Sequence, residues 1–414
     1  MRLCKSLWLF FILTIMGFSL SLDEKLDLII SVHKLTPKVC AQENTKKTVY
    51  VDIGRELFES TIISGNKDMS CSVCHLDKFG SADGLPMAVG VMGEGNGTQR
   101  YLHGAGALVQ RNALSLIGRS NTNFNSYFWD GKVEQDGNFT ISQLGEYISN
   151  KFNSPLAVAS IMPILERDEL MGAEGLFSLN KIAREVGDKL YNNKYDAISK
   201  IIQKRLYKST EDAAVKLKNK LEAINITEEV FELADIGNLL ADFIADKFKC
   251  SESRFDQYIK GNKQILTQEE KAGAVLFFGK GKCSSCHSGN LFSDFKYHSI
   301  GSPQGYFGPH TRHRDIGRAG VTNKAKDMYR FRTPPLIEVI KTAPYGHSGA
   351  FENLYDVILH HINPVKFYAT NTTYMEADYF RVGTILSSRD QILDVIDINN
   401  ELDIMQIIAF LQTL

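Results

Sequence analysis

The sequence predicts a mainly α-helical architecture: two small domains of one kind packed together, with extra helices bridging them. Three observations carry this. The motif Cys-x-x-Cys-His occurs twice, at residues 71–75 and 283–287. Each copy follows a Gly-x-x-Leu-Phe stretch with the spacing of an amphipathic helix. The stretch from about 180 to 256 carries apolar residues three and four apart, the period of helices that bury one face. Hydrophobic residues make up 43% and charged residues 23% of the 414, an ordinary globular balance that argues against disorder and against a polytopic membrane protein. Lys and Arg (47) nearly cancel Asp and Glu (48), so no basic excess points to nucleic acid.

The chain is expected to divide into four parts. Residues 1–22 read as a signal peptide or N-terminal anchor: Arg2 and Lys5 precede an apolar run from residue 7 to 22 that ends at Asp23 and Glu24. Export to an oxidising compartment follows, the periplasm, with tethering to the inner membrane left open. Residues 45–175 and 261–414 hold the two motifs, and 176–260 form a helical insertion between them. Outside the motifs and the leader, Cys40 and Cys250 remain. Whether they pair is open, because sequence separation says nothing of distance.

Two thiols three positions apart on one turn can add to the two vinyl groups of a haem, and the adjacent histidine then faces the iron. Cys71, Cys74 and His75 form one such site, and Cys283, Cys286 and His287 the other. Zinc held by two Cys-x-x-Cys pairs and a thioredoxin-like dithiol are the alternatives. The duplicated histidine, the export signal and the lack of a βαβ pattern around either motif weigh against both. Leu57, Phe58, Leu276 and Phe277 are expected to pack on the macrocycle edges.

With these motifs the sequence resembles the bacterial di-haem cytochrome c peroxidase family, which includes MauG-type enzymes. The resemblance rests on residues 83–86 (DGLP), Arg111–Asn112, residues 128–131 (FWDG) and 297–301 (YHSIG). It continues through 315–318 (DIGR), 331–336 (FRTPPL) and 342–349 (TAPYGHSG), and spans about 51 to 364. It implies two cytochrome c-like domains and two covalent haem c groups. The N-terminal haem would react with hydrogen peroxide, and the C-terminal haem would take electrons from a small cytochrome or cupredoxin-type donor. It also allows a homodimer. By motif, Trp129 takes an electron-relay position between the haems. A calcium ion at the domain interface would draw on Asn112 and on the backbone carbonyls of Thr342 and Pro344, oxygen donors suited to a hard cation.

The family places a sixth iron ligand of the C-terminal haem on the helix after TAPY-x-H-x-G. That place falls on His361. On a helix from 353 to 361, His361 follows Val357 by four and shares its face, whereas His360 diverges by about 100°. Two imidazoles would hold the iron at a lower potential than a His–Met pair. Met328 and Met375 are weaker candidates.

At the N-terminal haem the family's removable distal histidine falls on Val91 or beside His103, in a Gly-rich stretch. Either that ligand is absent, as in MauG-type proteins, or His103 replaces it. Gln143 and Glu169 are the residues for peroxide chemistry, with Glu166 as the alternative acid. A third alignment, through residues 153–157, puts Ala157 there and leaves no acid. The resemblance therefore favours a peroxidase. A MauG-type oxidase of a protein or small molecule, and a non-catalytic di-haem electron carrier, remain open.

Overall fold

The computed structural model describes residues 20–40, 48–103, 106–172, 186, 190–304, 315–371 and 379–414. Residues 1–19 of the expected leader (1–22) and Met375 lie outside them. Among the described residues no helix is long and apolar enough to cross a membrane.

The helices used below are α1 (Leu22–His33), α2 (Thr48–Glu59), α3 (Pro155–Leu165), α4 (Tyr191–Tyr207), α5 (Asp212–Ala223) and α6 (Leu233–Lys247). They continue with α7 (Arg254–Ile259), α8 (Gln268–Phe278), α9 (Leu354–Ile362), α10 (Pro364–Thr370), α11 (Tyr379–Ser387) and α12 (Glu401–Leu411). Several starts are capped by the side chains that local sequence supplies. Ser21, Ser253 and Thr267 form capping boxes with Glu24, Asp256 and Glu270, and the Asn353 side chain accepts from the Asp356 amide.

One apolar core is built by α2, α3, α4 and α6, with Leu57, Ile161, Ile198 and Leu240 buried in it. After α6 the chain crosses into a second core of α1, α7, α8 and α12. There Phe255, Phe277 and Phe278 surround Phe410, with Phe255 and Phe277 meeting it at 5.0 and 5.2 Å. A smaller cluster holds Phe351, Phe367 and Tyr368.

The duplicated Gly-x-x-Leu-Phe has a packing reason. A Cβ on Gly54 would lie 2.1 Å from the Leu239 carbonyl oxygen of α6, and one on Gly273 would lie 1.8 Å from that of Gln406 in α12. In each half, glycine lets the helix before the motif cross its partner backbone to backbone. The following leucines serve this packing. Leu57 and Leu276 are buried in the two cores and do not line the haem cavities, contrary to expectation, whereas Phe58 and Phe277 do line them.

Short β elements fix the loops. Ser126–Tyr127 (β3), Val133–Asp136 (β4) and Phe139–Ser142 (β5) form an antiparallel sheet after two two-residue strands, Gly93–Glu94 (β1) and Tyr101–Leu102 (β2). Gly137, at φ +56°, lies in the two-residue turn between β4 and β5. Tyr297–His298 (β6) pairs with Phe331–Arg332 (β7). This second-half pair grips the FWDG segment. The Arg332 amide donates to the Trp129 carbonyl at 2.7 Å, Arg332 Nε donates to the Phe128 carbonyl at 2.9 Å, and Arg318 Nη1 donates to the Asp130 and Gly131 carbonyls. Cys40 and Cys250 are joined as a disulfide, which ties the segment after α1 to the end of α6.

Candidate haem sites and the residues between them

Each Cys-x-x-Cys-His motif folds as a tight turn beside a cavity. Residues Cys71–Val73 and Cys283–Ser285 are single 3₁₀ turns, in which the His75 and His287 amides donate to the carbonyls of Cys71 and Cys283. None of the four motif cysteines forms a disulfide. Burial pushes the thiols of Cys71, Cys74 and Cys283 up to about 12, unlike the low-pKa thiolate of a reactive dithiol. Among the described residues, no group of three or more His, Cys, Asp or Glu is placed to hold a metal ion, so the two cysteine pairs do not share a centre.

The histidines meet the requirements of an axial ligand. His75 donates from Nδ1 to the Ser81 carbonyl at 2.8 Å and His287 from Nδ1 to the Phe292 carbonyl at 3.0 Å. The proton is thereby fixed on Nδ1, leaving Nε2 as the nitrogen for iron. Burial lowers both imidazoles to about 4, keeping them neutral. Paired thiols and a neutral imidazole at the edge of a cavity fit haem c at both sites.

The cavity beside His287 also receives His361, whose Nδ1 donates to the Val357 carbonyl at 2.7 Å within α9. Burial lowers the His361 pKa. His360 turns away. It is fully buried among Phe351, Phe367 and Tyr368, and its Nε2 donates to the Ile300 carbonyl at 3.0 Å. Met328 does not line this cavity. His298, on its border, is held between Asp294 (3.0 Å) and Asp390 (2.8 Å). Those hydrogen bonds, the one to Asp294 foremost, push its imidazole up to about 10.

The cavity beside His75 is built differently. Among the described residues, His75 is the one histidine that lines it. Val91 is buried in the first core, and His103 lies outside, exposed, with Nδ1 3.1 Å from Glu94. The wall instead carries Arg111, Asp130, Lys132, Gln143, Glu166, Glu169 and Tyr191. Gln143 follows β5 and is exposed at the mouth. The two glutamates come from the end of α3. Pro163 sits in its last turn, the helix ends at Leu165, and Arg167–Met171 continue as a π turn. Ala157 is fully buried in α3 and does not line the cavity, so an acid is present there.

The two acids are set apart by environment. Lys132 Nζ donates to Glu166 Oε1 at 2.7 Å, and Tyr191 Oη donates to the same oxygen at 2.8 Å. Burial would raise the Glu166 carboxyl, but Lys132 outweighs it and holds the group below its ordinary value. Burial pushes Glu169 up to about 7 against the pull of Lys132 and Arg111. Nearby, Arg111 bonds Asp315 through Nε and Nη2 (2.7 and 2.8 Å) and Asp130 through Nη1 (2.5 Å). Burial raises Asp315, and Arg111 more than offsets it, leaving the carboxyl at about 2.

Trp129 lines both cavities. Its indole donates to the Asn112 carbonyl at 3.0 Å. The Asn112 side-chain amide in turn lies 2.5 Å from the Pro344 carbonyl oxygen, and Thr342 and Pro344 line the second cavity. The residues that sequence reasoning did not single out are Lys132 and Tyr191. The position of Lys132 directly after FWDG was the available signal.

A family model described as di-haem cytochrome c peroxidase matches residues 48–264. The cytochrome-c peroxidase IdrP2 of Denitromonas iodatirespirans is 26% identical over 333 residues, covering 74% of this chain and 72% of that protein. The cytochrome c551 peroxidase of Pseudomonas aeruginosa is 27% identical over 308 residues, covering 74% and 70%. The solved structure of the dihaem peroxidase BthA from Burkholderia thailandensis aligns with a TM-score of 0.61 at 19% identity, covering 91% of this chain and 88% of that one, a likeness of fold.

Proposed function

Because the chain belongs to the di-haem cytochrome c peroxidase family, we propose that it is an exported peroxidase. It reduces hydrogen peroxide to water at the His75 side, with electrons that enter at the His287 side from a small cytochrome or cupredoxin-type donor. The overall reaction takes up two electrons and two protons per peroxide and releases two waters. The observation that carries this reading is the asymmetry of the two cavities. His287 and His361 together line one, and both would hold its iron, as suits electron transfer. The other pairs His75 with carboxylates and a cation instead of a second imidazole.

Haem c, held by Cys71, Cys74 and His75, would supply the redox iron at which peroxide is reduced. The chain's residues then handle protons and charge. Glu169, raised to about 7, takes a proton from peroxide and returns it to the departing oxygen. Gln143 at the mouth orients the incoming peroxide. Trp129, between the cavities, carries electrons from one side to the other. Calcium, held by the Asn112 side-chain oxygen and the Thr342 and Pro344 carbonyls, would fix the segment on which Trp129 rests. The Asn112 amide already faces Pro344, and turning it about its terminal bond presents the oxygen.

The absence of His103 and of any second histidine from the His75 cavity, among the described residues, favours one further reading: a MauG-type enzyme that spends peroxide on oxidising a protein or small molecule. Steady-state assays separate the two. Peroxide-dependent oxidation of a reduced small cytochrome or cupredoxin, at two electrons per peroxide, supports the peroxidase. Peroxide consumption without donor turnover points to the MauG-type reaction.

A further inference from the structure

In the His75 cavity, a lysine occupies a position where a buried cation is costly unless it has work to do. Lys132 follows the FWDG turn and leads into β4, with its side chain 12% exposed. Its ammonium sits over the Phe128 ring, with Nζ 4.6 Å from the centroid. Among the described residues Glu166 supplies the acceptor that Nζ reaches, at 2.7 Å, so beside the ring and this carboxylate the ammonium keeps a proton for a ligand. The charged and titratable groups that face it are Glu166 and Glu169 from the turn after α3, Asp130 from its own segment, and Tyr191 from α4. The negative charge of Glu166 foremost, with that of Asp130, keeps the lysine protonated against the effect of burial.

Reduction of hydrogen peroxide breaks its O–O bond, and the departing oxygen carries negative charge until a proton reaches it. Glu169 moves that proton, but no carboxylate can stabilise the charge. We propose, resting on the peroxide reading above, that Lys132 is the anion-stabilising residue of this cavity: its ammonium bonds the departing oxygen, while Glu166 and Tyr191 hold it in place. Lys132 keeps its own proton throughout, so the balance of two electrons and two protons per peroxide is unchanged. Glu166 is then a positioning residue, held ionised by Lys132, while burial pushes Glu169 three residues on up to about 7.

Fluoride binding to the ferric, haem-loaded protein tests this without turnover, because a bound anion needs the same cation. Affinity is read from the visible spectrum, and haem content from the Soret band. Lys132→Met weakens fluoride about tenfold, the worth of a charge-assisted hydrogen bond, whereas Lys132→Arg keeps most of the affinity. Glu166→Gln removes the neutralising charge but keeps a side-chain oxygen that accepts from Nζ, so the lysine stays in place and fluoride binds as tightly as to the wild type or tighter. Equal weakening in Lys132→Met and Glu166→Gln would show that the pair matters only as structure and would overturn the assignment. If Lys132→Met fails to load haem, Glu166→Gln alone decides: retained affinity supports the assignment and lost affinity overturns it. A wild type that takes up no fluoride has no open site, and the peroxide reading falls together with the assignment.

Discussion

Glu166 and Glu169 stand three residues apart on one turn, yet Lys132 and Tyr191 both bond Glu166, while Glu169 is left to the effect of burial. One carboxyl is held ionised and the other is raised to about 7. Paired acids pushed apart by their surroundings divide the labour of proton transfer and charge balance.

Glu169→Gln should therefore lower the rate of peroxide reduction by about 10²–10⁴-fold, the usual contribution of a positioned general base. Haem content and the spectrum of the His287 side should not change. The wild-type rate should rise with pH through about 7 as Glu169 ionises, and this limb should vanish in the variant. A stopped-flow pH profile checks both.

The same shift has a consequence for stability. The Glu169 pKa rises from 4.5 to about 7, so between those values the folded state binds more protons than the unfolded state. Stability then falls as pH rises through this window. Glu169→Gln lacks that loss, so the gap in melting temperature between variant and wild type should widen in the variant's favour from pH 4 to pH 8. Scanning calorimetry on the haem-loaded protein measures it.

His361 and His360 are adjacent but face opposite ways. His361→Ala should convert a low-spin haem to high spin, visible by absorption and electron paramagnetic resonance. His360→Ala should leave the spectrum intact and cost about 2–4 kcal/mol, since it empties a site packed by Phe351, Phe367 and Tyr368. A high-spin change in His360→Ala with none in His361→Ala would reverse the assignment.

Gly273 admits Gln406 of α12 at backbone distance, and Gly54 does the same for Leu239 of α6. Gly273→Val should destabilise the second half by about 1–3 kcal/mol or more through overpacking. Denaturant unfolding, followed through the loss of the haem spectrum, reports it.

Local spacing explains what was legible in the sequence. The haem turns and the Gly-x-x-Leu-Phe helices each depend on residues within one or two turns of chain, whereas His361 follows from the ligand position that the family resemblance implies. Trp129 was legible through its motif, and the structure places it against both cavities. The β4–β5 hairpin was missed although Asp136-Gly137 sits between alternating residues, because the helical pattern elsewhere dominated the reading. Leu57 and Leu276 were misassigned to the haem edge because a helix face looks the same from sequence whether it meets a cofactor or another helix. The roles of Lys132 and Glu166 were not legible, since they arise from a contact 34 residues apart in the chain.

Trp129→Phe addresses the path between the two sites. Loss of the indole and of its bond to Asn112 should slow electron passage by an order of magnitude or more, equivalent to at least about 1.4 kcal/mol of barrier. The His75 side should still react with peroxide at its wild-type rate.

The most direct test of the central claim is a rapid-mixing visible spectrum of fully reduced, haem-loaded protein with one equivalent of hydrogen peroxide. Oxidation of both haems within milliseconds to seconds is the predicted result. Spectra that stay unchanged over minutes would contradict a peroxide-reactive site at His75 and leave an electron carrier as the better description.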